Sequence, residues 1–106
     1  MENDNYKPLP DFLELRESEI EGIGLFTQII IESGTNLGIT HIYNTEFPND
    51  RIRTPLGGWI NHSDTPNCEL IKIGPYYYLI TSVDLLPDEE LTLKYSLYKV
   101  KTTASV

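Results

Sequence analysis

No stretch of this chain keeps a helical period over a useful length. Instead it breaks repeatedly at glycine or proline, seven of each in 106 residues. Between the breaks lie short runs rich in β-branched and aromatic side chains, which suit a pleated, half-buried surface. Leu25-Phe26-Thr27-Gln28-Ile29-Ile30-Ile31 is one such run. Cys68-Glu69-Leu70-Ile71-Lys72-Ile73 alternates apolar and polar residues, Gly74-Pro75 signals a turn, and residues 76–83 read as the returning strand of a hairpin. Further strands are expected at residues 12–16, 37–43 and 91–95. Turns are expected at residues 21–24, 32–34 and 86–90, and from Asn44 to Pro55 the pattern dissolves into loop. The pattern predicts a mostly β fold of small sheets with little helix.

A chain of 106 residues, 40 % of them hydrophobic, makes one small domain with a thin core. Residues 1–10 read as an N-terminal arm, because Pro8 and Pro10 disfavour helix there. Residues 11–98 form the expected domain, and 99–106 a polar tail. No apolar run is long enough for a membrane-spanning helix. The acidic start Met1-Glu2-Asn3-Asp4-Asn5 does not read as a secretion signal, so the expectation is an intracellular protein. A single cysteine, Cys68, excludes an intramolecular disulfide and a cysteine-built zinc site, and it reads as a small buried hydrophobe. Two histidines, His41 and His62, predict no metal centre. A net charge of -8 argues against direct nucleic-acid binding, which needs cations on phosphates. It suits a basic partner such as a lysine-rich protein tail, although a solvated acidic surface is the plainer reading of charge alone.

The chemistry-bearing stretch is Asn61-His62-Ser63-Asp64-Thr65-Pro66-Asn67. It sets an amide, an imidazole and a hydroxyl on one turn, where Pro66 restricts Thr65 and fixes its own φ. The apolar Leu56-Gly57-Gly58-Trp59-Ile60 leads into it, which predicts a buried approach. Alone, the turn marks a binding site and no more.

Three blocks taken in order resemble those of SET-domain protein-lysine methyltransferases. Gly22-Ile23-Gly24-Leu25-Phe26 resembles the family's glycine motif. Trp59-Ile60-Asn61-His62-Ser63-Asp64-Thr65-Pro66-Asn67 resembles its central aromatic-I-N-H-S-x-x-P-N block. Asp88-Glu89-Glu90-Leu91-Thr92-Leu93-Lys94-Tyr95 resembles its closing acidic turn, E-L-T and tyrosine. The resemblance implies a β-clip-like fold with a knot-like C-terminal crossing, a topology that general rules would not propose. It implies methyl transfer from S-adenosylmethionine to a lysine ε-amine of a basic protein. In that reading the peptides around Gly22, Ile23 and Gly24 hold the amino-acid end of the cofactor. The Asn61 amide serves its ammonium and carboxylate, and the His62 backbone meets its adenine. Tyr95 orients the amine in the lysine channel, Tyr98 covers the cofactor, and Tyr43 lines the channel or has a surface or core role.

Each residue also has a plainer reading. The glycines can form an ordinary tight turn, Asn61 and His62 an Asx-type turn, and Tyr95 a core aromatic. The chain departs from the family pattern as well. The segment between the early strands and the central block is short, so the substrate groove is either shallow or completed by a second subunit of a homodimer. The C-terminal cysteine cluster is missing, Asp64 stands where a zinc-binding cysteine often sits, and Lys94 stands where an acid is frequent. The competing reading is a catalytically inactive SET-like β module that binds a basic peptide by strand addition.

Overall fold

A computed structural model of the chain describes residues 9–94. Three small sheets make up the described fold. Strands β1 (Leu13–Glu17) and β2 (Ile23–Thr27) form an antiparallel hairpin. Strand β3 (Asn36–Tyr43) and β4 (Arg51–Arg53) join the hairpin β6 (Cys68–Ile73) and β7 (Tyr76–Thr81) in a four-stranded antiparallel sheet of order β4-β3-β7-β6. The third sheet is the parallel pair β5 (Asn61–His62) and β8 (Thr92–Leu93). Among the described residues helix is confined to a 3₁₀ turn at Pro48–Asp50 and the single turn α1 (Pro55–Gly58).

The hairpin at residues 68–81 forms where the alternation predicts it, with Leu70 facing Leu79 and Lys72 facing Tyr77. The run at 25–31 behaves differently. Strand β2 starts earlier, at Ile23, and ends at Thr27. There the Thr27 hydroxyl donates to the Ile29 carbonyl (2.8 Å) and accepts from its N–H (3.1 Å). A side chain thus takes the backbone groups that a longer ladder would need. Ile29 and Ile30 are left exposed, and Ile31 makes an isolated bridge to Leu85. The expected turn at 21–24 shifts as well. It is closed by Ser18 N–H on the Gly22 carbonyl (2.7 Å), and Ile23 and Gly24 belong to the strand.

The 3₁₀ turn and strand β4 arise inside the expected loop at 44–55, and α1 begins at its last residue. Strand β4, Arg-Ile-Arg, is too short for its alternation to be read, and its pairing with β3 defines it. The turn α1 follows Thr54, whose hydroxyl accepts from Gly57 N–H (3.4 Å), with Pro55 at the first helical position. At the other end Leu91 leaves the expected strand and donates its N–H to the Leu25 carbonyl (2.8 Å).

The core draws on most of these elements. Leu13, Leu25, Leu37, Leu56, Ile60, Cys68, Leu70, Leu79, Leu85, Leu91 and Leu93 form one cluster. Cys68 is 2 % exposed, and burial pushes its thiol up to about 12, so it acts as a core hydrophobe. Of the apolar approach to the polar turn, Leu56 and Ile60 are buried and Trp59 is exposed.

His41 lies on β3 opposite Arg53 of β4, with its ring edge-on to Tyr77. Burial, then the charges of Arg51 and Arg53, lower its pKa from 6.5 to about 4. Between those values the unfolded chain binds more protons than the folded one, so this contribution to stability is present above pH 6.5 and is lost as pH falls towards 4. Allowing for solvent screening, the loss is about 1–2 kcal/mol. Urea unfolding of wild type and His41→Gln at pH 7 and pH 4.5 measures it, and the variant should lose less stability on acidification. Equal losses in the two proteins would remove His41 from the account.

Candidate functional site

The β1–β2 turn, β5 and the segment entering β8 meet at one place. Parallel pairing sets Asn61 beside Thr92 and His62 beside Leu93. A bridge joins Phe26 to Glu90, and Thr27 N–H donates to the Glu89 carbonyl (3.1 Å). These main-chain bonds bring three motif blocks, separated by tens of residues, within side-chain reach.

Three side chains link them. The amide nitrogen Nδ2 of Asn61 faces the Glu90 carboxylate (2.8 Å), the Glu21 carbonyl (3.0 Å) and the Ser18 hydroxyl (3.1 Å). Its two protons are shared among three acceptors. The Ser18 hydroxyl donates to Glu90, at 2.8 and 2.9 Å from the two oxygens, and accepts from Ile20 N–H (2.9 Å). Glu90 is therefore held by two donors from distant parts of the chain. No described residue donates to Oδ1 of Asn61.

The two glycines serve different purposes. Gly22 has φ +49°, a left-handed conformation that closes the turn, and a Cβ there would meet nothing within 4 Å. Gly24 is buried, and a Cβ there would stand 2.1 Å from the Glu90 Oε2 atom. The first glycine answers a backbone demand and the second makes room for a carboxylate. Ile23 between them is 44 % exposed.

The rest of the turn holds itself and the closing strand. His62 Nε2 lies 3.2 Å from Asp64, so the imidazole braces the turn. Ser63 N–H donates to the Leu93 carbonyl (2.8 Å), and Thr65 N–H donates to the Ser63 hydroxyl (3.0 Å). Asn67 ties down β8. It donates through Nδ2 to the Glu90 carbonyl (2.8 Å) and accepts Thr92 N–H on Oδ1 (2.8 Å).

Beside Glu90 opens a cleft of about 370 Å³ lined by Arg16, Glu17, Glu19, Phe26, Asp88 and Glu90. Its one guanidinium is engaged by Asp88 (2.7 Å) and Glu14, and sits over the Phe26 ring. These bonds hold the Glu14 carboxyl below its usual range and raise Arg16. Four carboxylates against one neutralised cation favour a positively charged ligand.

Of the residues singled out from sequence, Gly22, Ile23, Gly24, Asn61 and His62 lie around this junction. Tyr43 ends β3, with Lys72 Nζ 5.5 Å from its ring centroid. Tyr95 and Tyr98 lie outside the described residues. Ser18 carried no sequence signal, and neither Glu90 nor Asn67 was assigned a role. Both stand in the matched blocks, but a string of three acids does not reveal which one turns inward.

A mostly β domain of small sheets, closed by a parallel pairing between an Asn-His turn and a late strand, defines the class. A family model of the SET domain matches residues 41–96, more than half of the chain, and the chain belongs to the SET-domain family. The matched region holds the central and closing blocks; the glycine block lies before it. No curated protein sequence matches. Among solved structures, the chain is similar to a Plasmodium falciparum protein described as a "putative histone methyltransferase". The TM-score is 0.63 and the identity 20 %, over 82 % of this chain and 95 % of that one. At that identity the likeness is one of fold. The fold is thus the mostly β SET-domain fold expected from the motifs; β5 and β8 pair in parallel, and the rest of the expected C-terminal crossing falls outside the described residues.

Proposed function

We propose that residues 11–98 form a minimal SET domain that transfers a methyl group from S-adenosylmethionine to a lysine ε-amine of a basic protein. The observation that carries this reading is the convergence of Gly24, Asn61 and Glu90 from three distant segments. The donor set fits the amino-acid end of the cofactor. Oδ1 of Asn61 receives no bond from a described residue and can accept from an ammonium. The exposed peptides at Gly22 and Ile23 can approach a ligand. His62 offers backbone groups to the adenine while its ring is occupied with Asp64.

The chemistry supplied by the bound cofactor is an electrophilic methyl on a sulfonium. The protein's own task is alignment, since an in-line displacement gains most from positioning. Tyr95, which follows β8 by two positions, is assigned to orient the lysine amine through its hydroxyl. That amine, with a pKa of about 10.4 in water, must be neutral to attack, and a dry channel beside a positive charge favours loss of the proton. The acidic cleft beside Glu90 supports recognition of a basic substrate. The competing reading, strand addition of a basic peptide without catalysis, finds Arg51 and Arg53 on the β4 edge, which disfavours cations there.

Calorimetry with S-adenosylmethionine tests the cofactor. Incubation with lysine-rich histone-tail peptides, read by mass spectrometry, tests the transfer. Wild type should bind and methylate, and Tyr95→Phe should bind comparably but turn over at least about 10-fold more slowly. Absence of binding at millimolar cofactor overturns the proposal. Peptide binding without turnover establishes the non-catalytic module instead.

A further inference from the structure

The cofactor reading leaves open why a carboxylate should sit against the amide of Asn61, and this inference rests on that reading. An asparagine amide has nearly the same shape when flipped, so packing alone does not choose between its two orientations. Here the partners do. A carboxylate and a carbonyl can only accept, and the Ser18 hydroxyl spends its proton on Glu90 and turns a lone pair to Asn61. A flipped amide would set Oδ1 against these acceptors, with the charge of Glu90 contributing most. We propose that Glu90 is a positioning residue. It locks Asn61 with its donor side towards the protein and leaves Oδ1 for the ammonium of an amino-acid-bearing ligand.

Gly24 belongs to the same device. A Cβ at this position would overlap the Glu90 carboxylate, with Oε2 at 2.1 Å and Cδ at 2.8 Å. The glycine is therefore needed to seat Glu90. Any side chain here would displace the carboxylate and release the amide. This separates Gly24 from Gly22, whose surroundings are open.

The test uses the full chain and three probes, S-adenosylmethionine, S-adenosylhomocysteine and 5′-methylthioadenosine, the last lacking the amino-acid end. Binding is measured by calorimetry and folding by circular dichroism. Glu90→Gln keeps the volume but can offer an NH₂ group to Asn61, so it tolerates the flipped amide. It should bind the first two ligands about 10-fold more weakly, the loss of roughly one charge-assisted hydrogen bond, and methylthioadenosine as wild type does. Gly24→Ala should show the same selective loss. In a Glu90→Ala background it should change affinity less than about threefold, because the carboxylate is gone and the Ser18 Cβ, 3.1 Å from the added methyl, need give only slightly.

Ser18→Ala removes one donor to the carboxylate and provides the measurement if Glu90→Gln does not fold; it should give a smaller loss with the same selectivity. Unchanged affinities, or equal losses for all three ligands, overturn the inference while leaving the cofactor reading intact. A Gly24→Ala penalty as large without Glu90 as with it assigns the glycine to direct ligand approach and also overturns it. Absence of binding by wild type removes both the inference and the reading beneath it.

Discussion

Asn61→Ala should weaken S-adenosylmethionine binding roughly 30- to 100-fold, with little change in the folded fraction at 25 °C. The substitution removes an acceptor at the junction, Oδ1, to which no described residue donates. A hydrogen bond to a charged partner is worth about 1.5–3 kcal/mol, which spans that range of affinity. It also leaves Glu90 bonded to Ser18 alone, but the carboxylate is only half-buried and water can replace the amide. The folding cost should therefore stay near 1 kcal/mol. Calorimetry on protein checked by circular dichroism separates the two effects. Wild-type affinity in a folded Asn61→Ala protein would remove this residue from the site.

Asn67→Ala should destabilise the domain by about 3 kcal/mol and abolish cofactor binding along with it. Unlike Asn61, Asn67 serves the backbone. Its amide donates to the Glu90 carbonyl and its carbonyl accepts Thr92 N–H, both at 2.8 Å. Alanine leaves one acceptor and one donor of the main chain without partners at the edge of the core, where Leu91 and Leu93 are buried on either side. A domain of this size has about 5–15 kcal/mol to lose. Strand β8 is only two residues long, so losing its anchor should free the segment that carries Glu90. Guanidinium unfolding should show a lower midpoint at unchanged slope, since the surface exposed on unfolding is the same. A shift below about 1 kcal/mol would mean that the β5–β8 pairing holds the strand without this side chain.

Cys68–Ile73 and Tyr76–Thr81 needed no tertiary information. Alternation, a Gly-Pro turn and aromatic content are local signals, and the hairpin obeys them. The β2 run shows where local signals fail. Ile29-Ile30-Ile31 has strong β propensity, yet Thr27 captures the backbone groups of Ile29 and the ladder stops. Strand β4 fails in the opposite direction, because Arg51-Ile52-Arg53 is a strand only through its pairing with β3. The candidate site divides in the same way. Asn61, His62 and the glycines could be named from their blocks. Ser18 could not, because its partners lie 43 and 72 positions along the chain.

Residue order alone determined the β class, the turns at 32–34, 74–75 and 86–90 and the family, since these depend on neighbours in the chain and on short motifs. The tertiary structure decided which acid faces inward, why Gly24 must be a glycine, and which way Asn61 presents its amide. Those answers depend on atoms brought within 3 Å by parallel pairing across some thirty residues, and hydrogen bonding at that range leaves no periodic trace in a sequence.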